Sequence, residues 1–169
     1  TGRGRLHMAP IFLNAWAEYQ DPKYAWMIQQ SRQVADAPLG WQVWTPQGPA
    51  SAIAETQIRR SGAMAFRLKT EGKGRIALVQ TVGVSPDQSS VVTGWVKVLG
   101  MAGGSAHIRV NPIGGGDAVF TNRVRVAGDW MQVRAEIPKG PQSLRLHVFL
   151  EGGAGEVVWD DIEVHNAGS

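Results

Sequence analysis

The chain has 169 residues, enough for one domain with a sizeable core, and its 43% hydrophobic content with 21 Gly and 9 Pro describes a globular chain rich in turns. It contains no Cys, which excludes disulfides, thiolate metal sites and a Cys nucleophile. The formal charge of +3 comes from 17 Lys and Arg against 14 Asp and Glu, scattered without a basic block; neither a nucleic-acid partner nor a membrane span is expected.

Residues 1–9 are polar and do not read as a signal peptide; they are expected to be a disordered or appended arm, with a single domain over 10–166. The first strand candidate is Ile11–Tyr19. Pro22 to Pro38 breaks the rhythm: it lacks strand alternation and has room for a short helix around Ala25–Val34. A loop of this length in a domain is usually functional or partly disordered.

From there the pattern is almost wholly β. Ile53–Ile58, Ala63–Thr70, Arg75–Val82 and the β-branched run Val91–Leu99 are strand candidates. Ala106, Ile108 and Val110 alternate with His107, Arg109 and Asn111. Ala118–Val126 and Met131–Ile137 follow, and then Leu144, Leu146, Val148 and Leu150 alternate with Arg145, His147 and Phe149. Gly- and Pro-rich pieces separate them, including Gly103-Gly104, Gly114-Gly115-Gly116 and Gly152-Gly153. Many short strands with regular turns predict an all-β, two-sheet antiparallel sandwich.

The last strand, Val157 to Val164, carries Asp160 and Asp161 side by side. Strand alternation sends neighbours to opposite faces, so the two cannot cooperate as an acid/base pair. One is driven inward, where a carboxylate needs a cation or several donors, and an oxygen-ligated metal such as Ca²⁺ is one solution. An exposed acidic pair at the end of a strand is the other reading. No Gly-x-Ser-x-Gly, His-Glu-x-x-His or Gly-x-x-x-x-Gly-Lys-Ser/Thr occurs, and no enzymatic activity is expected. His107 and His147 fall on strand faces that are either solvated or used for polar ligand contacts.

Several motifs resemble, in the same order, those of jelly-roll carbohydrate-binding modules of the family 4, 9 and 22 type. Leu13-Asn14-Ala15-Trp16-Ala17-Glu18 is similar to their Asn-Pro-Gly-Phe-Glu opening, and Leu39-Gly40-Trp41 to the following Gly-Trp. Ser61-Gly62-Ala63-Met64-Ala65-Phe66-Arg67-Leu68, the run Gln80 to Lys97, Gly128-Asp129-Trp130 and Trp159-Asp160-Asp161-Ile162 continue the likeness. Ala15-Trp16-Ala17 departs from the family's Pro-Gly-Phe, and 20–38 resembles an insertion.

The resemblance implies a jelly roll that binds polysaccharide without catalysis. It also implies tethering to an enzyme or envelope protein in the extracellular or periplasmic space, and a structural Ca²⁺ held by Glu18 with Asp161 or Asp160, completed by carbonyls near Ser61-Gly62. Trp41, Trp95, Trp130 and Trp159 match its core positions. Trp16, Trp26 and Trp44, with Tyr19 and Tyr24, do not match core positions, and of these Tyr19, Tyr24, Trp26 and Trp44 are the candidate stacking residues. Gln80, Arg109, Asn111, Arg145 and His147 are candidate polar contacts on a sheet face, where Arg would suit an acidic glycan. The alternative is a structural or protein-interaction jelly roll without sugar binding.

Overall fold

Two strands of 24 residues, β5 (Ser90–Ile113) and β8 (Ser143–Asn166), organise the computed structural model, which describes residues 40–168. The remaining strands are β1 (Gln42–Gln47), β2 (Ala50–Glu55), β3 (Ala65–Thr70), β4 (Arg75–Gly83), β6 (Val119–Phe120) and β7 (Met131–Ile137). All pairings are antiparallel, and no helix occurs among the described residues. Expectations that fall on Ile11–Tyr19 and on the 22–38 helix lie outside the described residues, as does the arm at 1–9.

The early part of β8 pairs with β4 and with the late part of β5; its later part pairs with β3 and with the early part of β5. One leaf therefore runs β1, β4, early β8, late β5, β6, and the other runs β2, β3, late β8, early β5, β7. Hydrogen bonding is continuous through all eight strands because β5 and β8 serve both leaves. The core lies between them. Ile76, Leu78, Ile108, Val110, Leu146 and Val148 face inward from the first leaf, and Leu68, Val92, Val96, Val133, Val157 and Trp159 from the second.

Gly103-Gly104 and Gly152-Gly153 are not turns between strands, as the sequence suggested, but the shared bend at which both long strands cross from leaf to leaf. Here the backbones approach too closely for side chains: a Cβ on Gly153 would lie 2.5 Å from Ala102 O, and one on Gly104 2.4 Å from Glu151 O. Gly104 also has φ +80°, a region that L side chains rarely adopt.

Ala118–Val126 yields only the two-residue β6. Beyond it, side chains take ladder positions: Thr121 Oγ1 accepts from Ile108 N (2.9 Å) and Asn122 Oδ1 from Arg134 N (3.0 Å). Among the four tryptophans assigned to the core, only Trp159 is fully buried, while Trp41 packs partly against it. Trp95 and Trp130 are only partly buried, and Trp95 faces outward, as alternation with Val96 and Val98 requires. The Arg60 guanidinium covers its ring at 3.9 Å.

Candidate functional site

The outer face of the first leaf carries the chemistry, and strand register places it in rows. Trp44, Ala77, Phe149 and His107 line up across β1, β4, β8 and β5. The next row is Gln42, Val79, His147, Arg109 and Phe120, and the one after it Thr81, Arg145 and Asn111. On the other side lie Arg75, Glu151 and Ser105.

One half of this face is a packed aromatic platform. Trp44 meets Phe149 edge-on at 5.7 Å between ring centres and His147 at 6.0 Å. Phe149 stacks between His147 (5.8 Å) and His107 (5.3 Å), while Phe120 closes the far side 6.1 Å from His107. Arg75 lies over Phe149 (4.7 Å) and Trp44 (5.1 Å), and Arg109 and Arg123 lie over Phe120 at 5.7 and 5.6 Å. Trp44 and Phe120 remain 38% and 47% exposed, which leaves ring surface for a ligand at both ends of the platform.

The other half is polar. Arg109 Nε donates to Asn111 Oδ1 (3.0 Å), and Asn111 Nδ2 donates across the strands to His147 Nδ1 (3.1 Å). With Nδ1 accepting, His147 is neutral and carries its proton on Nε2. Burial and then the charges of Arg145, Arg109 and Arg75 hold its pKa below the ordinary imidazole value. A hollow of about 260 Å³ opens here, bounded by Gly40, Gln42, Val79, Gln80, Thr81 and Arg145.

His107 is fully buried, which corrects the expectation of a solvated or ligand-contacting side chain. Its Nδ1 accepts from Arg123 at 3.3 Å, and Nε2 lies 3.3 Å from Glu151 without the alignment of a hydrogen bond. Burial first, and then Arg123, Arg75 and Arg125, lower its pKa from 6.5 to about 4. The unfolded chain therefore takes up a proton between those values while the folded one does not. His107 contributes stability that is full above pH 6.5 and lost as the pH falls toward about 4. Denaturant titrations at pH 7 and pH 4.5 should show a loss on the order of 3 kcal/mol that His107→Phe removes. An unchanged pH dependence in the variant would refute this.

Of the residues expected to contact ligand, the structure brings Trp44, Arg109, Asn111, Arg145 and His147 together on this face. Gln80 stands at the edge of this group, because it lines the hollow beside Arg145 although its strand phase is inward. It pairs with Leu146 in β8 and shares the inward phase of Ile76 and Leu78. There it lines a larger hollow of about 700 Å³ at the open end between the leaves, walled mainly by apolar residues such as Trp41, Val84, Ile162 and Val164. Tyr19, Tyr24 and Trp26 lie outside the described residues. Phe149, Phe120, Arg75, Arg123 and Glu151 were not anticipated. Phe149 had a signal, an aromatic in phase with Arg145 and His147.

Asp160 and Asp161 do not alternate. Thr93 pairs with Glu163 and Trp95 with Asp160, so β8 holds one extra residue, a bulge at which Asp161 adopts φ +47°. Both carboxylates consequently reach the β2–β3 loop; Asp160 is buried beneath it, compensated by several donors rather than by a metal, while Asp161 stays partly exposed. Asp160 Oδ2 accepts from Arg60 N (2.6 Å) and Ser61 N (3.0 Å), and its Oδ1 from Asp161 N (2.8 Å). Asp161 accepts from the Ser61 hydroxyl and pairs with the Arg60 guanidinium at 2.7 Å. The Ser61 hydroxyl first, and then Arg60, lower the Asp161 pKa.

This donor set does not fit the expected Ca²⁺. All four carboxylate oxygens accept hydrogen bonds, a guanidinium stands beside them, and the loop backbone presents N–H groups rather than the expected carbonyls. Among the described residues no group of three or more His, Asp or Glu is arranged to hold a metal. Glu18 lies outside the described residues.

No protein-family model and no curated protein matches the chain. Solved structures do. It is similar to the enzymatically active domain of tailspike protein 4 of bacteriophage CBA120 (13% identity, TM-score 0.62, 78% of this chain), of which it spans only 20%. It is similar over nearly their full length to two carbohydrate-binding modules. TmCBM61, solved in complex with β-1,4-galactotriose, is 17% identical with a TM-score of 0.60, over 80% of this chain and 92% of that one. The CBM22-1 xylan-binding domain of Xyn10C from Paenibacillus barcinonensis is 14% identical with a TM-score of 0.54, over 78% and 88%. At these identities the likeness is one of fold: the chain is an antiparallel β-sandwich of the kind found in carbohydrate-binding modules.

Proposed function

We propose that the chain is a non-catalytic carbohydrate-binding module whose ligand lies across the outer face of the first leaf. The observation that carries this reading is the juxtaposition, on one rigid sheet, of partly exposed Trp44 and Phe120 with the polar row of Arg109, Asn111, Arg145 and His147. Aromatic faces take the C–H surface of a sugar ring, and the fixed donors beside them take its hydroxyls. On the strands of this face Glu151 is the only carboxylate among the described residues, which leaves no paired acid and base for glycoside hydrolysis. The fold shared with a galactotriose-bound module and a xylan-binding domain supports the same reading. Such a module would hold an attached enzyme or envelope protein on a polysaccharide outside the cell.

Affinity electrophoresis through gels containing β-1,4-galactan, xylan, β-glucan or polygalacturonate tests it. At least one polymer should retard the protein, and Trp44→Ala should abolish retardation; the lost packing on Phe149 and His147 lowers Tm, so a cooperative melt well above the temperature of the gel checks that the variant is folded. Free migration in every gel would leave the scaffold without a sugar-binding role.

A further inference from the structure

The two outer faces treat their cations differently. On the second leaf Arg67 sits between Glu55 (2.7 Å) and Glu156 (2.5 Å), and Arg134 pairs with Glu136 (2.6 Å). The adjoining loops follow suit, with Arg60 on Asp161 (2.7 Å) and Lys97 facing Asp129 (3.7 Å). On the first leaf Arg75, Arg109, Arg123 and Arg145 face a single carboxylate. Glu151 is divided between Arg75 (2.6 Å) and Arg123 (3.5 Å). Arg109 and Arg145 have no carboxylate within ion-pair distance among the described residues. Arg109 opposes His147 while Arg145 opposes Asn111, so the two cations are diagonal neighbours with Cα atoms roughly 7–8 Å apart.

We propose that the glycan taken by this face is anionic, a polyuronate whose carboxylate is held by Arg145, which lines the hollow beside Gln42 and Thr81, together with its diagonal neighbour Arg109. The proposal rests on the carbohydrate reading above and names the class of sugar. Two like charges set diagonally on a sheet repel each other, and a ligand carboxylate relieves that repulsion. Each guanidinium offers a planar fork that matches a carboxylate, and the Arg109 fork is already oriented through Asn111. The pKa of His147, lowered first by burial and then by Arg145, Arg109 and Arg75, is consistent with that excess of positive charge. Trp44 and Phe120 remain available for the sugar rings on either side.

The test compares polygalacturonate with its carboxyl-reduced form, which keeps the chain and removes the charge, and with dextran sulfate. Polygalacturonate should retard the protein and the reduced polymer should not. Arg145→Ala and Arg109→Ala should each weaken binding about tenfold or more. Lys69→Ala, an equal loss of charge on the opposite leaf, should leave it unchanged. Equal retardation by the reduced polymer would overturn the anionic assignment while leaving carbohydrate binding in place. Dextran sulfate bound as tightly as polygalacturonate, or an equal loss in Lys69→Ala, would reduce the effect to general charge attraction and overturn it as well. Failure of every polymer, neutral and acidic, would instead remove the carbohydrate reading itself.

Discussion

Gly104→Ala is expected to destabilise the protein more than any other single methyl addition along β5. The new Cβ would sit 2.4 Å from Glu151 O and 2.9 Å from Gly153 N, and both are backbone atoms that cannot rotate away. The residue would also be held at φ +80°, which costs a non-glycine residue on the order of 1–3 kcal/mol before any clash is counted. Overpacking adds a similar amount, so a loss of about 4 kcal/mol is expected. Gly100→Ala is the control: it lies on the same strand, its Cβ would meet nothing within 4 Å, and it should shift stability little. Equal denaturation midpoints for Gly104→Ala and the parent would show that the bend is not as tight as described.

Asp160→Ala carries the second large effect. Its carboxylate accepts three backbone N–H bonds, two from Arg60 and Ser61, which are about a hundred positions away in the chain. Truncation leaves those donors without their acceptor and removes the negative charge that faces the loop, for a loss on the order of 3 kcal/mol. The same experiment addresses the metal. With Arg60 serving as the cation at this site, chelator should leave Tm unchanged, whereas Arg60→Ala should lower it. A Tm that falls with chelator and recovers with Ca²⁺ would restore the calcium clasp expected from the sequence.

Much of the fold was readable because the period-two signal was strong. Met131–Ile137 is a strand as expected, and the alternation of Leu144 to Leu150 put Arg145 and His147 on one face. Three features were not read, each for a physical reason. Paired glycines commonly mark turns, and nothing local reveals that Gly103 and Gly153 face each other across a bend. One extra residue at Asp161 reverses the phase of everything after it, so a two-residue period carried through the bulge misplaced Asp161, while Asp160, which precedes it, keeps the face of Val158. Gln80 could have been placed correctly, since it continues the inward phase of Ile76 and Leu78; its polarity argued for the surface and alternation argued against it. The site was visible only in part because its aromatic half comes from rows that cross four strands. Register, rather than any run along the chain, brings Trp44, Phe149 and His107 together.

The sharing of β5 and β8 between the leaves has a consequence for thermodynamic linkage. No surface can be drawn that separates the leaves without cutting both long strands, so neither leaf can open as an independent cooperative unit. Free energy released when a ligand occupies the first leaf is therefore distributed to the second. On the carbohydrate reading proposed above, amides of β2, β3 and β7 that exchange only through global unfolding are expected to gain protection when a ligand occupies the first leaf, so that the opposite leaf reports its occupancy.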